Sequence, residues 1–576
     1  MSSSLSTPRV ADRPAGAPPL LRSLANGARL VTLVMLLAVA WSAIQVGLFH
    51  DNLINPGGWA LVQQFFAAAL RPELSPAFLR LTLESTLVTF AYAISGLALS
   101  LVIGFLGGLL SSEVWWLAHR PRRRSPHLQS SISILGSPWL LVRGALAVPR
   151  AIHEALWGLF LVRILGLDPL VAILALGIPF GAITAKVFSE ILDETPRDAL
   201  NALLNGGAPP ARAMLYGLLP RAFANLTSYS FYRLECAIRS ATVLGVIGAG
   251  GLGYQILLSL QSLRYQEMWT LMAALLLLSG MTDWLSARIR RALGAPTRSE
   301  VNLAADCSAE AAVRARGTPG SRALLGLFIV AVVLTPLSFW YVQPDLGRLF
   351  APRTIALLGD MVGQMFPPDL SPANVAALFN LSVQTLAMSV FAIAVAGLFG
   401  ILLAYPAAHP ARRTGGAMLA YGVTRAFLLF CRAIPAPVWA LLILFVMFPG
   451  PLPGALAIAV HNLGILGRLI AEAVENADKR PAQALQHAGA SPLQAFLYGA
   501  LPITLPQSLA YVFYRWEIGM RETVIVGFVG AGGLGRLLTE QLSSFDYSGV
   551  TATLIALLVL TFIVDVLSTA ARRAIR

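Results

Sequence analysis

Gly248-Ala249-Gly250-Gly251-Leu252-Gly253 recurs letter for letter as Gly530-Ala531-Gly532-Gly533-Leu534-Gly535, 282 positions later (530 − 248). The same offset joins Gly207 to Gly489, Pro220 to Pro502, Arg239 to Arg521 and Asp283 to Asp565. An ungapped register along Arg143–Arg291 marks a duplicated unit with one fold. Solenoid periods run to roughly 50 residues, so each copy here is a domain-sized half. Two such halves are expected to pair about a pseudo-twofold axis, with any central site between them.

Working outward, composition sets the class. The 576 residues are 56% hydrophobic and only 12% charged, with a mean hydropathy of +0.70. Soluble domains carry about 25% charged residues. An all-α integral membrane protein is the class that fits, with about six spans in each half. The spans are expected near 30–48, 80–110, 140–163, 169–191, 222–246 and 267–286. Their counterparts are expected near 323–342, 378–405, 426–448, 452–474, 504–528 and 550–570. The fifth of each half is too polar to face lipid and is expected to face inward.

The net charge of +14 is a matter of topology. With the basic N-terminus in the cytoplasm, the even-numbered spans deliver Arg120–Arg124, Arg288–Arg291, Arg412–Arg413 and Arg572–Arg576 to one side. Contact with acidic lipid is a secondary reading, and nucleic acid is not expected. Residues 1–29 read as a disordered cytoplasmic tail, 30–293 as the first transmembrane domain, 294–322 as a cytoplasmic linker and 323–576 as the second domain. The run Leu30–Leu48 reads as an uncleaved span rather than a signal peptide. Trp59–Leu70 and Ile355–Phe366 are amphipathic and read either as outer interfacial helices or as solvated loops. Cys236, Cys307 and Cys431 are too scattered for a disulfide framework or a metal site. No motif for covalent chemistry or cofactor binding is present, so the chain is expected not to be an enzyme.

Three constellations remain. One is the loop after the fourth span: Asn201-Ala202-Leu203 with Gly207-Ala208 and Leu219-Pro220, echoed by Gln483-Ala484-Leu485 with Gly489-Ala490 and Leu501-Pro502. Small residues followed by glycine suit a short helix, a sharp turn and a second helix. Another is the glycine run itself, Gly248, Gly250, Gly251 and Gly253 with Gly530, Gly532, Gly533 and Gly535. A dinucleotide fingerprint needs a soluble strand before it, whereas a bending or closely packed gate between the halves does not. The third is a set of charges within spans. Lys186, Glu190, Arg233, Glu235 and Arg239 match Arg468, Glu472, Arg515, Glu517 and Arg521. Arg233, Arg239, Arg515 and Arg521 suit a pathway for an oxyanion, since the guanidinium fork binds two oxygens. Structural pairing is the competing account, because Glu235 and Arg239, like Glu517 and Arg521, are four apart and share a helix face.

These motifs carry a family resemblance. The repeated loop resembles the coupling helix of ABC importer membrane subunits, with Asn201 and Gln483 where the family usually has Glu. Phe231-Tyr232-Arg233-Leu234-Glu235 and Phe513-Tyr514-Arg515-Trp516-Glu517, each followed by the glycine run, are similar to phosphonate-type importer permeases, here as two fused copies. The resemblance implies the type I importer transmembrane fold in a bacterial inner membrane. It implies ATP-driven import of a phosphonate or related phosphorus oxyanion. The implied partners are two cytoplasmic ATP-binding subunits and a periplasmic or lipid-anchored solute-binding protein. The alternatives are a methionine or quaternary-amine importer and an ion-coupled secondary transporter.

Overall fold

The computed structural model describes residues 33–49, 53–119, 138–292, 321–408 and 415–575. The expected tail 1–29, all but the end of the expected linker 294–322, and the clusters Arg120–Arg124 and Arg412–Arg413 lie outside the described residues.

The first half begins with α1 (Leu33–Gln45). It continues with α2 (Gly58–Ala68), α3 (Pro76–Ser111), α4 (Glu113–Ala118), α5 (Pro138–Ala151), α6 (Glu154–Leu165) and α7 (Pro169–Glu194). Then come α8 (Asp198–Asn205), α9 (Leu219–Leu244), α10 (Gly251–Gln261) and α11 (Tyr265–Ala292). The second half holds α12 (Ser321–Val342), α13 (Pro352–Met365), α14 (Pro372–Ala407), α15 (Gly415–Ala433) and α16 (Ala436–Val446). It ends with α17 (Pro451–Asn476), α18 (Arg480–His487), α19 (Leu501–Phe528), α20 (Gly533–Ser543) and α21 (Tyr547–Ile575). Proline in the first turn opens α3, α7, α14, α17 and α19, where its missing N–H has no partner to lose.

Among the described residues, seven helices are long and apolar enough to cross a bilayer. Three further apolar pairs are bent, α5–α6 at 83°, α9–α10 at 57° and α15–α16 at 95°, each a broken span or a re-entrant loop, for up to ten crossings among the described residues. The shorter apolar helices α1 and α12 stand where the first span of each half was expected. The third span of each half was expected to be continuous, and it is not. The His153 imidazole accepts the Ala155 N–H at 3.2 Å and starts α6 afresh. Pro435 does the same for α16 by removing a donor. The two amphipathic segments form helices, α2 and α13.

Leu83, Val102, Phe399, Leu402 and Phe562 point outward and are more than half exposed, except Phe399 at 48%. Such a surface suits lipid and not water. Inside the second half α14 packs along α17, and inside the first α3 packs along α7. A Cβ on Gly104 would stand 2.5 Å from the Thr184 side chain, and one on Gly181 2.7 Å from Ile103, so both glycines are needed for this approach. The halves interlock at their first helices. Ala43 and Val46, at the end of α1, bury themselves among Ala387, Leu452 and Ala455 of the second half. Val342 at the end of α12 joins the core of the first half, and α12 lies along α3. Across the interface, Leu156 and Ala155 of α6 pack on α19 and its neighbours, while Val438 of α16 packs into the first half.

Candidate functional site: an arginine-lined cavity between the halves

The two repeated loops take one shape. α8 ends in a Schellman turn: Gly207 N–H donates to the Leu204 carbonyl at 3.2 Å and Ala208 N–H to Leu203 at 3.0 Å. α18 ends identically, with Gly489 bonded to Gln486 at 3.0 Å and Ala490 to Leu485 at 3.0 Å. The closing residue of this turn sits in the left-handed region, φ +82° at Gly207 and +92° at Gly489, which explains the glycine. Asn201, Ala202, Leu203, Gln483 and Ala484 are exposed, Leu485, Ala208 and Ala490 partly so. At the start of α18, the Arg480 guanidinium and N–H bond Asp478 and hold its carboxyl below the ordinary range. Behind each helix is a π-helical turn, Met214–Leu218 or Phe496–Ala500, whose glycine touches the helix backbone. A Cβ on Gly217 would stand 3.0 Å from Leu200, and one on Gly499 2.8 Å from Ala482.

The glycine runs make the turn from α9 into α10 and from α19 into α20. Gly248, Gly250, Gly251, Gly530, Gly532 and Gly533 all have φ between 70° and 111°. Gly253 and Gly535 have ordinary φ but leave no room for a Cβ beside the carbonyls of Thr242 and Val524. Thr89 Oγ1 accepts the Leu252 N–H at 2.8 Å, and Thr385 Oγ1 accepts Leu534 N–H at 2.9 Å. The tightest contacts of these glycines thus fall within their own half.

The charged residues meet where the halves face each other. A cavity of about 610 Å³ lies between Arg150, Lys186 and Glu190 of the first half and Glu517, Arg521 and Asp565 of the second. A narrower space of about 170 Å³ continues from it, sharing Arg150, Tyr229, Tyr232, Tyr514 and Arg521, and reaches Arg233, Arg239 and Arg515. All four arginines singled out in the sequence therefore line one space. On the opposite side, the positions equivalent to the larger cavity are closed by ions. Asp283 of α11 bridges Arg432 and Arg468, the latter at 3.0 Å, and Arg468 also holds Glu472 at 2.8 Å. On the open side the only ion pair among the equivalent described residues beyond Glu517's is Lys186–Glu190 at 3.9 Å.

The four arginines are not equivalent. Arg515 is neutralised: its Nε donates to Asn462 Oδ1 at 2.7 Å, its Nη2 to Glu522 Oε1 at 2.8 Å, and Asn462 Nδ2 holds Glu522 Oε2 at 2.7 Å. Arg233, Arg239 and Arg521 have no carboxylate partner among the described residues. Arg239 and Arg521 reach mainly backbone carbonyls, of Glu235 at 3.3 Å and of Glu517 and Arg150 at 3.4 and 3.2 Å. Arg233 lies 3.7 Å over the Phe180 ring, 5% exposed. The expected four-apart pairing is absent from α19, because Glu517 is taken by Arg572 of α21 at 2.5 Å. Lys186–Glu190 and Arg468–Glu472 do pair as spaced. Among the described residues no His, Cys, Asp and Glu group could hold a metal. Sequence reasoning passed over Asn462 and Phe180, and took Asp283 only as a mark of the repeat, not as an ion-pair bridge. Only the twin comparison of position 180 with 462 could have drawn attention to the first two.

The family model described as "Binding-protein-dependent transport system inner membrane component" matches residues 133–294 and 396–576. The chain belongs to this family. It is a multi-pass transport component of a bacterial inner membrane. The phosphate-import permease protein PhnE of Mycolicibacterium smegmatis is 28% identical over 83% of this chain and 84% of its own. The phosphite transport system permease protein PtxC of Stutzerimonas stutzeri is 33% identical over 43% of this chain and 88% of its own. A putative cryptic phosphonate transport system permease protein of Escherichia coli is 36% identical over 20% of this chain and 97% of its own. Less than half of this permease thus answers to nearly the whole of some relatives, as two fused copies require.

Proposed function

We propose that the chain supplies both halves of the permease of an ATP-driven importer for a small phosphorus oxyanion such as phosphate, phosphite or a phosphonate. The observation that carries this is the shared cavity, where Arg233, Arg239 and Arg521 stand without carboxylate partners among the described residues. A cation buried away from water is stabilised by an anion that enters with it. The relatives' names supply the phosphorus chemistry. A solute-binding protein delivers the anion on the outer side, and two ATP-binding subunits seat on α8 and α18. Around Asn201, Ala202, Leu203, Gly207 and Ala208, and around Gln483, Ala484, Leu485, Gly489 and Ala490, the surface mixes small, apolar and polar side chains and is nearly uncharged. Tyr216 and Tyr498, 71% and 75% exposed, extend it. Closure of the ATPase pair moves both helices and, through the π-helical turns behind them, α9 and α19. The glycine turns at Gly248–Gly253 and Gly530–Gly535 then act as hinges at the far ends of those helices.

Proteoliposomes holding the chain with its partners test this. Uptake of inorganic phosphate, phosphite or methylphosphonate is expected with ATP and the binding protein, and none with an inactivated ATPase. Uptake that continues without ATP hydrolysis contradicts the proposal and points to ion coupling. Uptake of glycine betaine or methionine alone contradicts the anion assignment.

A further inference from the structure

Positions 282 apart can be compared pair by pair. Arg233 corresponds to Arg515, Phe180 to Asn462, and Ser240 to Glu522. In the second half, α17 supplies Asn462, and α19 supplies Glu522 two turns beyond Arg515. Together they occupy the Nε–Nη2 edge of the guanidinium. In the first half the same two atoms, Arg233 Nε and Nη2, are buried with no hydrogen-bond partner among the described residues. The reason is local. Phe180 offers a ring face and no acceptor, and Ser240 is turned to Glu154, donating to Oε1 at 2.5 Å. The other oxygen of Glu154 lies 3.0 Å from His153 Nδ1, the atom that accepts the Ala155 N–H. The Nε–Nη2 edge is the one that holds two oxygens of a tetrahedral oxyanion side by side.

Resting on the anion-import reading above, we infer that the transport site is one-sided: Arg233 of the first half is the guanidinium that takes the oxyanion, while Arg515 carries its own built-in counter-ion and takes none. Phe180 and Ser240 are specificity-determining by what they withhold. The ring stacks on the guanidinium and fixes its plane without competing for its protons. The serine leaves vacant the place where Glu522 stands in the other half. An anion that presents two oxygens to Arg233 completes there the arrangement that Asn462 and Glu522 complete permanently around Arg515.

The test restores the missing acid. In the whole complex, in proteoliposomes, Ser240→Glu is expected to pair with Arg233 and lower ATP-driven uptake of phosphate and methylphosphonate by roughly tenfold or more. Ser240→Met, close to glutamate in bulk but with no oxygen to offer, is expected to lower that uptake less than Ser240→Glu, which separates competition for Arg233 from crowding. Arg233→Lys keeps the charge and loses the fork, so its half-saturating concentration is expected to rise roughly tenfold. Arg515→Lys is expected to lower the melting temperature and to shift half-saturation less than Arg233→Lys. Equal shifts from both lysine variants overturn the one-sided site. So does near-normal uptake by Ser240→Glu with the complex assembled. If Ser240→Glu fails to assemble, the two lysine variants decide. Wild-type vesicles that import betaine and neither oxyanion overturn the anion reading itself, before any variant is compared.

Discussion

Asp283 and Asp565 occupy equivalent positions on α11 and α21, yet their surroundings differ. Asp283 bridges two arginines of the opposite half, whereas Asp565 borders the open cavity with no ion pair among the described residues. Removing a carboxylate that two largely buried cations share leaves Arg432 uncompensated and Arg468 with Glu472 alone. Asp283→Asn is therefore expected to lower stability by about 2 kcal/mol. Asp565→Asn is expected to change it by less than about 0.5 kcal/mol. Thermal unfolding of the detergent-solubilised chain measures both, and equal losses would remove the distinction between the open and closed sides. At this scale the sequence was only partly legible. It set Arg233, Arg239, Arg515 and Arg521 on the inward-facing fifth spans. It did not show that Glu517 belongs to Arg572, or that Arg515 takes an acid seven residues on. A helix face lists what a side chain can reach, and a third helix decides what it does reach.

The elements proposed to transmit force are short. α8 and α18 each rest on a glycine of the π-helical turn behind them, and Gly499 leaves no room for a side chain against Ala482. Gly499→Val must push α18 outward. It is expected to leave the chain able to bind the ATPase and to reduce uptake per ATP hydrolysed, read as the ratio of the two rates in proteoliposomes. Gly489 differs, since a Cβ there meets nothing within 4 Å and the constraint is its positive φ. Gly489→Asp is expected to strain the turn by about 1 kcal/mol and to put a charge on the docking face. Co-purification of the ATPase should fall well below that of Gly489→Ala. Co-purification at the wild-type level would contradict the docking role. The coupling loops were legible because a Schellman turn writes glycine at a fixed place and the chain writes it twice. The breaks at His153 and Pro435 were obscured, because hydropathy continues across them while only the backbone direction changes.

For the whole molecule, the repeat announced two halves, and length and hydropathy gave six crossings each. That α1 belongs spatially to the second half and α12 to the first was not legible, since an apolar helix reads the same beside either bundle. This exchange predicts that proteolysis between residues 300 and 315 leaves the two fragments together. They should elute as one species in detergent, with oxyanion uptake retained after reconstitution, whereas separation would mean that the crossed helices hold little. The one-chain arrangement also changes how mutation acts. In a permease made from two copies of one gene product, every codon change strikes both sides of the channel at once. Here it strikes one, so an acid can be kept where it seals and lost where it would block. Because each half keeps its opening helix in the other's keeping, a gene conversion that overwrote one half with the other would not restore a symmetric ancestor cleanly. It would place each lending helix against a partner it was not shaped to meet.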